Sequence, residues 1–258
     1  MRKQPQQPCS RAPVKALSSG LPLQVHDSLD STSLEALRYL DGGGRDPVWI
    51  FARLQTAGYG RRGRSWQQQT GNLAATLVMP LSGNLASQPA AAGFALSLAL
   101  AAALEQSGVK PRDIQLKWPN DVLIDGGKVS GILLERHMVG GETFLAVGVG
   151  VNLAYKPDLP DYPTASVNEA TGSAPDPEAF LDSLDEAFQH WLALLERQGF
   201  APLRDAWLER AGGVGRQITV RLPNETLHGV FEGLDETGAL ILRQGEVISR
   251  INTGDVFF

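Results

Sequence analysis

Two kinds of apolar pattern alternate along the first two-thirds of the chain, and a third takes over near the end. LPLQVHD (21–27) reads as a first strand. Thr32 followed by Glu35 has the form of a capping box, with Leu34, Leu37 and Leu40 at helical spacing and Gly42 to Gly44 as a stop. VWIFARL and LAATLVM are further strands, followed by an Ala-rich helix over about 88–106. IQLKWP leads into a hairpin, VLID-GG-KVSGILLE, whose glycine pair suits a tight turn, and TFLAVGVGVNL is another strand. Helical spacing returns over about 177–197 and 202–211. From Gly215 onward RQITVRL, TLHGVFEGL, ALILRQ and EVISRI, split by PNE, DETG and GE, describe a small all-β barrel.

Strands mixed with helices and hairpins predict an α+β domain, a mixed sheet with helices on one side. The boundaries fall at 1–20 for a disordered leader, 21–212 for the main domain and 213–258 for the barrel. With 258 residues, 43% hydrophobic and 20% charged, the chain can bury a full core. Its net charge of -5 argues against a general nucleic-acid binder and confines any basic patch to a local feature. The single cysteine, Cys9, excludes an internal disulfide and points to a reducing compartment, the cytoplasm. The leader lacks the apolar run of a secretory signal, and the Ala-rich stretch is broken by Gly93 and Ser97, so no membrane span is expected.

AGYGRRGRSW (57–66) contains the spacing G-x-G-x-x-G of a dinucleotide fingerprint. No amphipathic helix follows it, and no Asp or Glu lies between Asp46 and Glu105, so that mechanism is excluded. What remains is Arg61, Arg62 and Arg64 among glycines. They form either an anion cradle, with guanidinium forks and close backbone N–H groups, or a solvated basic turn. KWPND (117–121) puts Lys117 at a strand end, where it is either solvated or a pocket cation beside Trp66 and Trp118. Gly148 and Gly150, two apart in a strand, present bare backbone on one face, for a ligand or for tight packing; Gly131 has the same two readings. His26, His137, His190 and His228 share no metal-ligand spacing, no G-x-S-x-G elbow occurs, and GGKV does not make a phosphate-binding lysine loop.

The order STS, QTAGYGRRGRSW, KWPND, KVSGILLE, VGVGVNL and a terminal β-barrel resembles the biotin protein ligase family over about residues 22–258. The resemblance implies a biotin ligase-like mixed sheet, as in class II aminoacyl-tRNA synthetases, and an SH3-like C-terminal domain. It implies joining of biotin to ATP as biotinyl-5'-AMP, then transfer to a lysine of a biotin carboxyl carrier domain, with Mg2+ whose ligands the sequence leaves unassigned. By matching positions, Ser31, Thr32, Gln55, Gly58, Tyr59, Gly131 and Gly148 are expected around biotin. Lys117 and Arg61 are expected to reach both biotin and nucleotide, with Arg64, Trp66, Asn120 and Asn152 around the adenylate. Lys117, Arg61 and Arg64 are the catalytic candidates. Thr32 is expected both to touch the ligand and to cap the helix. Three positions depart from the family pattern: Ser33 for a frequent Asn, Arg53 for a frequent Glu and Tyr59 for a frequent Arg. About twenty residues precede the first strand, too few for the DNA-binding unit of the repressor forms, so no specific DNA partner is expected. A lipoate ligase is the nearest rival, and the KWPND and GRRGR motifs favour biotin.

Overall fold

A computed structural model of the chain describes residues 13–159 and 162–258. Its main sheet has eight strands: β1 (Val14–Ala16), β2 (Pro22–His26), β3 (Val48–Ala52), β4 (Leu73–Pro80), β5 (Ile114–Lys117), β6 (Asp121–Ile124), β7 (Gly127–Val139) and β8 (Glu142–Val151). They lie in the order β1-β2-β3-β4-β8-β7-β6-β5. β2 and β3 run parallel and every other neighbouring pair is antiparallel, so the sheet is mixed as expected.

Helices cover both faces, which corrects the one-sided arrangement read from the sequence. Helix α1 (Thr32–Asp41) sets Ala36 and Leu40 against Val48, Ile50, Val78, Phe144 and Ala146. The alternate residues of the same strands, Trp49, Phe51, Leu77, Leu145 and Val147, point to the larger core on the other side. That side carries α3 (Ala91–Gln106), α5 (Pro177–Gln198) and α6 (Ala201–Glu209), while the short α2 (Gly83–Ser87) leans on α5. Helix α3 is apolar on nearly all sides and is buried nearly throughout, as such a helix must be. Among the described residues no helix is long and apolar enough to cross a membrane.

The leader expected over 1–20 is ordered in the part described. β1 pairs with β2, and the turn after it is held by α5: Ser18 N–H donates to Asp182 (2.7 Å), and Ser19 donates to the fully buried Asp185, which also accepts from Trp49 Nε1 (2.9 Å). Three residues of strand carry too weak a pattern to be read alone. Residues 1–12, with Cys9, lie outside the described residues. Two local expectations also shift. The β6–β7 turn is Asp125-Gly126, both left-handed at φ 47° and 79°, with Gly127 already in β7. The cap of α1 is Ser31, whose hydroxyl accepts from Ser33 N–H, so Thr32 is freed from capping.

The barrel comprises β9 (Gln217–Arg221), β10 (Thr226–Leu234), β11 (Leu240–Gln244), β12 (Val247–Ile251) and β13 (Asp255–Phe257), all antiparallel. The connection into it runs beside β5: Leu116 N–H donates to Arg210 O, and Gly212 N–H donates back to Leu116 O, both at 2.9 Å. This sheet-like attachment fixes the barrel one residue from Lys117. Trp118, buried, donates its indole N–H to Gly238 O of the barrel (3.1 Å).

Candidate functional site

Along β8 the residues facing α1 are Phe144, Ala146, Gly148 and Gly150, so side-chain bulk falls to nothing toward the strand end. β7 sets Leu133 opposite Gly148 and Gly131 opposite Gly150. A cavity of about 520 Å³ opens there, between the N-terminal end of α1, the arginine loop and the barrel. A Cβ on Gly150 would stand 2.3 Å from the Trp66 indole, and one on Gly131 would stand 3.4 Å from it. The bare backbone is therefore what lets Trp66 lie flat as a wall.

The end of the cavity at Gly148 is polar and uncharged. Gln55 Oε1 accepts from Thr32 N–H (2.8 Å) and from the Thr32 hydroxyl (3.1 Å), and Thr76 donates to the same hydroxyl (2.8 Å). Ser31, Thr32 and Ser33 are all buried, and Ser33 Oγ lies 3.3 Å from where a Gly148 side chain would start. A pre-set row of neutral donors and acceptors of this kind suits a neutral polar group on a ligand.

The end at Gly131 is cationic. Lys117 is 8% exposed; its ammonium donates to the Tyr162 hydroxyl (2.5 Å) and sits over the rings of Tyr162, Phe257 and Phe258 at 4.5, 5.5 and 5.6 Å. Burial pushes its pKa below the usual lysine value, and the charge of Asp121 opposes that shift. Tyr162 passes the chain on to Asp121 (2.9 Å), whose other oxygen pairs with Lys128 Nζ (2.6 Å). Burial, with Asp121 beside it, raises the Tyr162 pKa, so the phenol stays protonated and donates.

Lys128 borders the cavity too and, like Tyr162, Asp255 and Phe257, carries no signal in the sequence pattern that would place it there. Its Nζ and Cε lie 3.2 Å from a Cβ position on Gly131, and it faces Trp66 at 5.8 Å. A bulge brings it there: Val122 pairs with Ser130 but Leu123 with Lys128, one extra residue on β7. Asn152, 2% exposed, borders the cavity; it donates to Lys128 O and Ala165 O, while its Oδ1 is buried and finds no partner among the described residues.

The loop read as GYGRRGR is a short 3-10 turn, Arg61–Gly63, not a strand-to-helix junction. Arg61 reaches Asn120 (3.0 Å) and Thr253 (2.9 Å), Arg64 pairs with Asp255, and burial lowers the Arg61 pKa without threatening its charge. Of the residues expected in the site, Ser31, Thr32, Gln55, Tyr59, Arg61, Arg64, Trp66, Lys117, Asn120, Gly131, Gly148 and Asn152 all border this one cavity. Gly58 does not: it stands behind the wall, where a Cβ would meet Gln55 Nε2 at 2.6 Å and Trp66 O at 2.9 Å. Trp118 borders the cavity but is tied to the barrel, so Trp66 is the aromatic wall.

Comparison with known proteins agrees over about nine-tenths of the chain. Residues 40–152 match the biotin/lipoate A/B protein ligase family, and residues 213–258 match the biotin protein ligase C terminal domain. A biotin–acetyl-CoA-carboxylase ligase of Paracoccus denitrificans is 48% identical over 89% of this chain and 97% of its own. The chain belongs to the biotin protein ligase family. A bifunctional ligase/repressor BirA of Bacillus subtilis is 31% identical over 92% of this chain and 74% of its own. The solved biotin protein ligase from Aquifex aeolicus in complex with biotin and ATP has the same fold, with a TM-score of 0.76 and 24% identity over 91% of this chain and 97% of that one.

Within this ligase the three departures from the family pattern separate by position. Arg53 pairs with Glu178 of α5 (2.5 Å) and lies outside the cavity, whereas Ser33 and Tyr59 border it. The Tyr59 hydroxyl donates to both oxygens of Glu135 on β7 at 3.1 and 3.2 Å, so the side chain pins the loop. Burial, followed by the Glu135 charge, pushes its pKa up to about 12. An arginine there would face the same carboxylate. Tyr59→Arg is therefore expected to keep biotin affinity within roughly twofold, while Tyr59→Phe loses about 1 kcal/mol, roughly fivefold. Calorimetric titration with biotin checks this; an arginine variant weaker than the phenylalanine variant would show that Glu135 is not the anchor.

Proposed function

We propose that this ligase joins biotin to ATP at the cavity, giving biotinyl-5'-AMP and pyrophosphate, and then passes the biotinyl group to a lysine of a biotin carboxyl carrier domain. The observation that carries the reading is the division of one cavity into a neutral end and a cationic end, with Trp66 between the glycines and solvent. Ser31, Thr32 and Gln55 at the neutral end suit the ureido group, a ring with two donors and one acceptor. The family's lipoate substrates lack that group.

Adenylation brings a carboxylate oxygen against the α-phosphorus of a polyanion as pyrophosphate leaves, so the barrier is largely repulsion and placement. Lys117, Lys128, Arg61 and Arg64 supply positive charge around the position where those oxygens meet. Lys128 at the Gly131 floor faces the biotin carboxylate and the α-phosphate, a role it shares with Lys117. Arg61 and Arg64 serve the outer phosphates, and Asn120 and Asn152, with Trp66, the nucleoside end. In the second half-reaction the neutral carrier amine attacks the acyl carbon and AMP departs.

Mg2+ enters this scheme with ATP. The carboxylates bordering the cavity, Asp121 and Asp255, are each neutralised by a protein cation, and among the described residues no cluster of three or more metal-binding side chains occurs. A magnesium ion held chiefly by phosphate oxygens and water needs no such cluster. The carrier domain is that of a biotin-dependent carboxylase, and the setting is cytoplasmic. We assign the chemistry to residues 21–212 and the closing wall to residues 213–258. Exchange of labelled pyrophosphate into ATP tests the proposal: it is expected with biotin and absent with lipoate or with neither, and exchange supported by lipoate alone would overturn it.

A further inference from the structure

Among the described residues the Lys117 ammonium has one hydrogen-bond partner, the Tyr162 hydroxyl (2.5 Å). That hydroxyl has a single proton and gives it to Asp121 Oδ2 (2.9 Å), so toward Lys117 it acts as an acceptor. Such an acceptor holds a protonated amine well and a neutral one poorly. The chain after Tyr162 fixes the phenol in place. Lys128 N–H donates to Pro163 O (2.8 Å), Ala165 N–H donates to Lys128 O (3.0 Å), and the Thr164 hydroxyl donates to Pro157 O (2.6 Å). The β7 backbone that carries one lysine of the cavity therefore also anchors the partner of the other.

The rest of the surroundings is divided over the charge on Lys117. Burial is the largest influence against an ammonium, and the Lys128 charge on β7 adds to it. Asp121 on β6 and Asp255 on β13 favour the charge without prevailing. Each of those carboxylates already faces another cation, Lys128 for Asp121 and Arg64 for Asp255, and Arg61 and Arg64 border the same cavity. The rings of Phe257 and Phe258 complete the enclosure from the barrel. Tyr162 is what carries the influence of Asp121 to Lys117 through hydrogen bonds.

We infer that Tyr162 is a positioning residue for Lys117: its hydroxyl, oriented by Asp121, keeps the ammonium charged and in place at the cavity up to a higher pH than its buried surroundings alone would allow. The inference rests on the adenylation reading for its consequence, but not for its geometry. Transfer to the carrier needs a neutral lysine amine, which becomes more abundant as the pH rises, whereas adenylation needs Lys117 as a cation. Holding Lys117 protonated widens the range in which both halves of the reaction run. Without the hydroxyl the charged form loses its acceptor and the neutral form loses little, so Lys117 gives up its proton at a lower pH.

The test compares wild type with Tyr162→Phe, first shown to unfold at the wild-type temperature. Phenylalanine keeps the ring beside the ammonium and removes only the acceptor, so a role confined to packing or to the ring predicts no change. Without substrates, trace acetylation with acetic anhydride across a pH series, read by mass spectrometry, reports how much Lys117 is neutral, with the exposed Lys110 as reference. The labelling midpoint of Lys117 is expected to fall by about one pH unit in Tyr162→Phe. In biotin-dependent pyrophosphate exchange the alkaline limb of kcat is expected to move down by about the same amount, with activity below the limb within about threefold of wild type. A labelling midpoint that stays or rises, or an alkaline limb that stays while the midpoint falls, would overturn the inference. Because labelling is read without substrate, it decides the role of Tyr162 even if wild type were to show no biotin-dependent exchange.

Discussion

Gly150→Val is expected to leave a folded protein that has lost most of its affinity for the adenylate. Gly150 lies near the end of β8 and faces the cavity, where a Cβ would stand 2.3 Å from the Trp66 indole. The indole must leave its wall, since the strand backbone is held on both sides by β4 and β7. Stacking of a base on an aromatic side chain is worth about 1–3 kcal/mol, so the loss is expected to lie between roughly fivefold and roughly 150-fold. Binding of a non-hydrolysable biotinyl-AMP analogue, followed by calorimetry, reads this directly. The biotin site at the Gly148 end should suffer less, because the hydrogen bonds that build it run among Thr32, Gln55 and Thr76 and none involves the Trp66 indole. Wild-type affinity for the analogue in Gly150→Val would show that Trp66 is not a nucleotide wall.

Much of this arrangement was legible in the residues themselves. The glycines of β8, Lys117 and the arginines were each identifiable by type and spacing, the uncharged group around Thr32 only through the family resemblance, and the fold brings them to one cavity. Four features were not legible, for physical reasons. The two-sided cover of the sheet was hidden because α1 is short, although VWIFA of β3, buried at every position, carried the signal that both faces are covered. Lys128 was missed because it lies three residues from Gly131, an odd spacing that puts two residues on opposite faces of a regular strand. The bulge at Lys128–Val129 reverses that parity, and bulges leave little trace in a sequence. β13 is only three residues long and reads as a tail after EVISRI, yet it supplies Asp255 and Phe257 to the cavity. Tyr162 lies in a Pro-rich loop with no periodicity, so nothing marked it as the partner of Lys117.

Lys128→Ala is expected to be the most damaging single change. The Lys128 ammonium neutralises Asp121 at 2.6 Å and faces the cavity floor beside Gly131. Its removal takes away a cation from the place where a carboxylate and a phosphate must meet, and leaves the Asp121 carboxylate there with a diminished set of partners. A hydrogen bond to a charged group is worth about 1.5–3 kcal/mol in a ground state. A fixed donor aimed at charge that develops in the transition state is worth about 10²–10³ in rate, so the two effects are separable. Lys117→Ala is expected to act in the same direction and more mildly, because the Lys117 ammonium is enclosed by Tyr162, Phe257 and Phe258.

Activation of a biotin carboxylate by ATP between two lysines is the claim on which the rest depends. It is tested most directly by measuring biotin-dependent pyrophosphate exchange and ATP-independent biotin binding side by side in wild type and Lys128→Ala. The predicted result is exchange reduced by about a hundredfold or more, with biotin binding weakened by less than about tenfold. Equal losses in the two measurements, or exchange close to wild type, would contradict it.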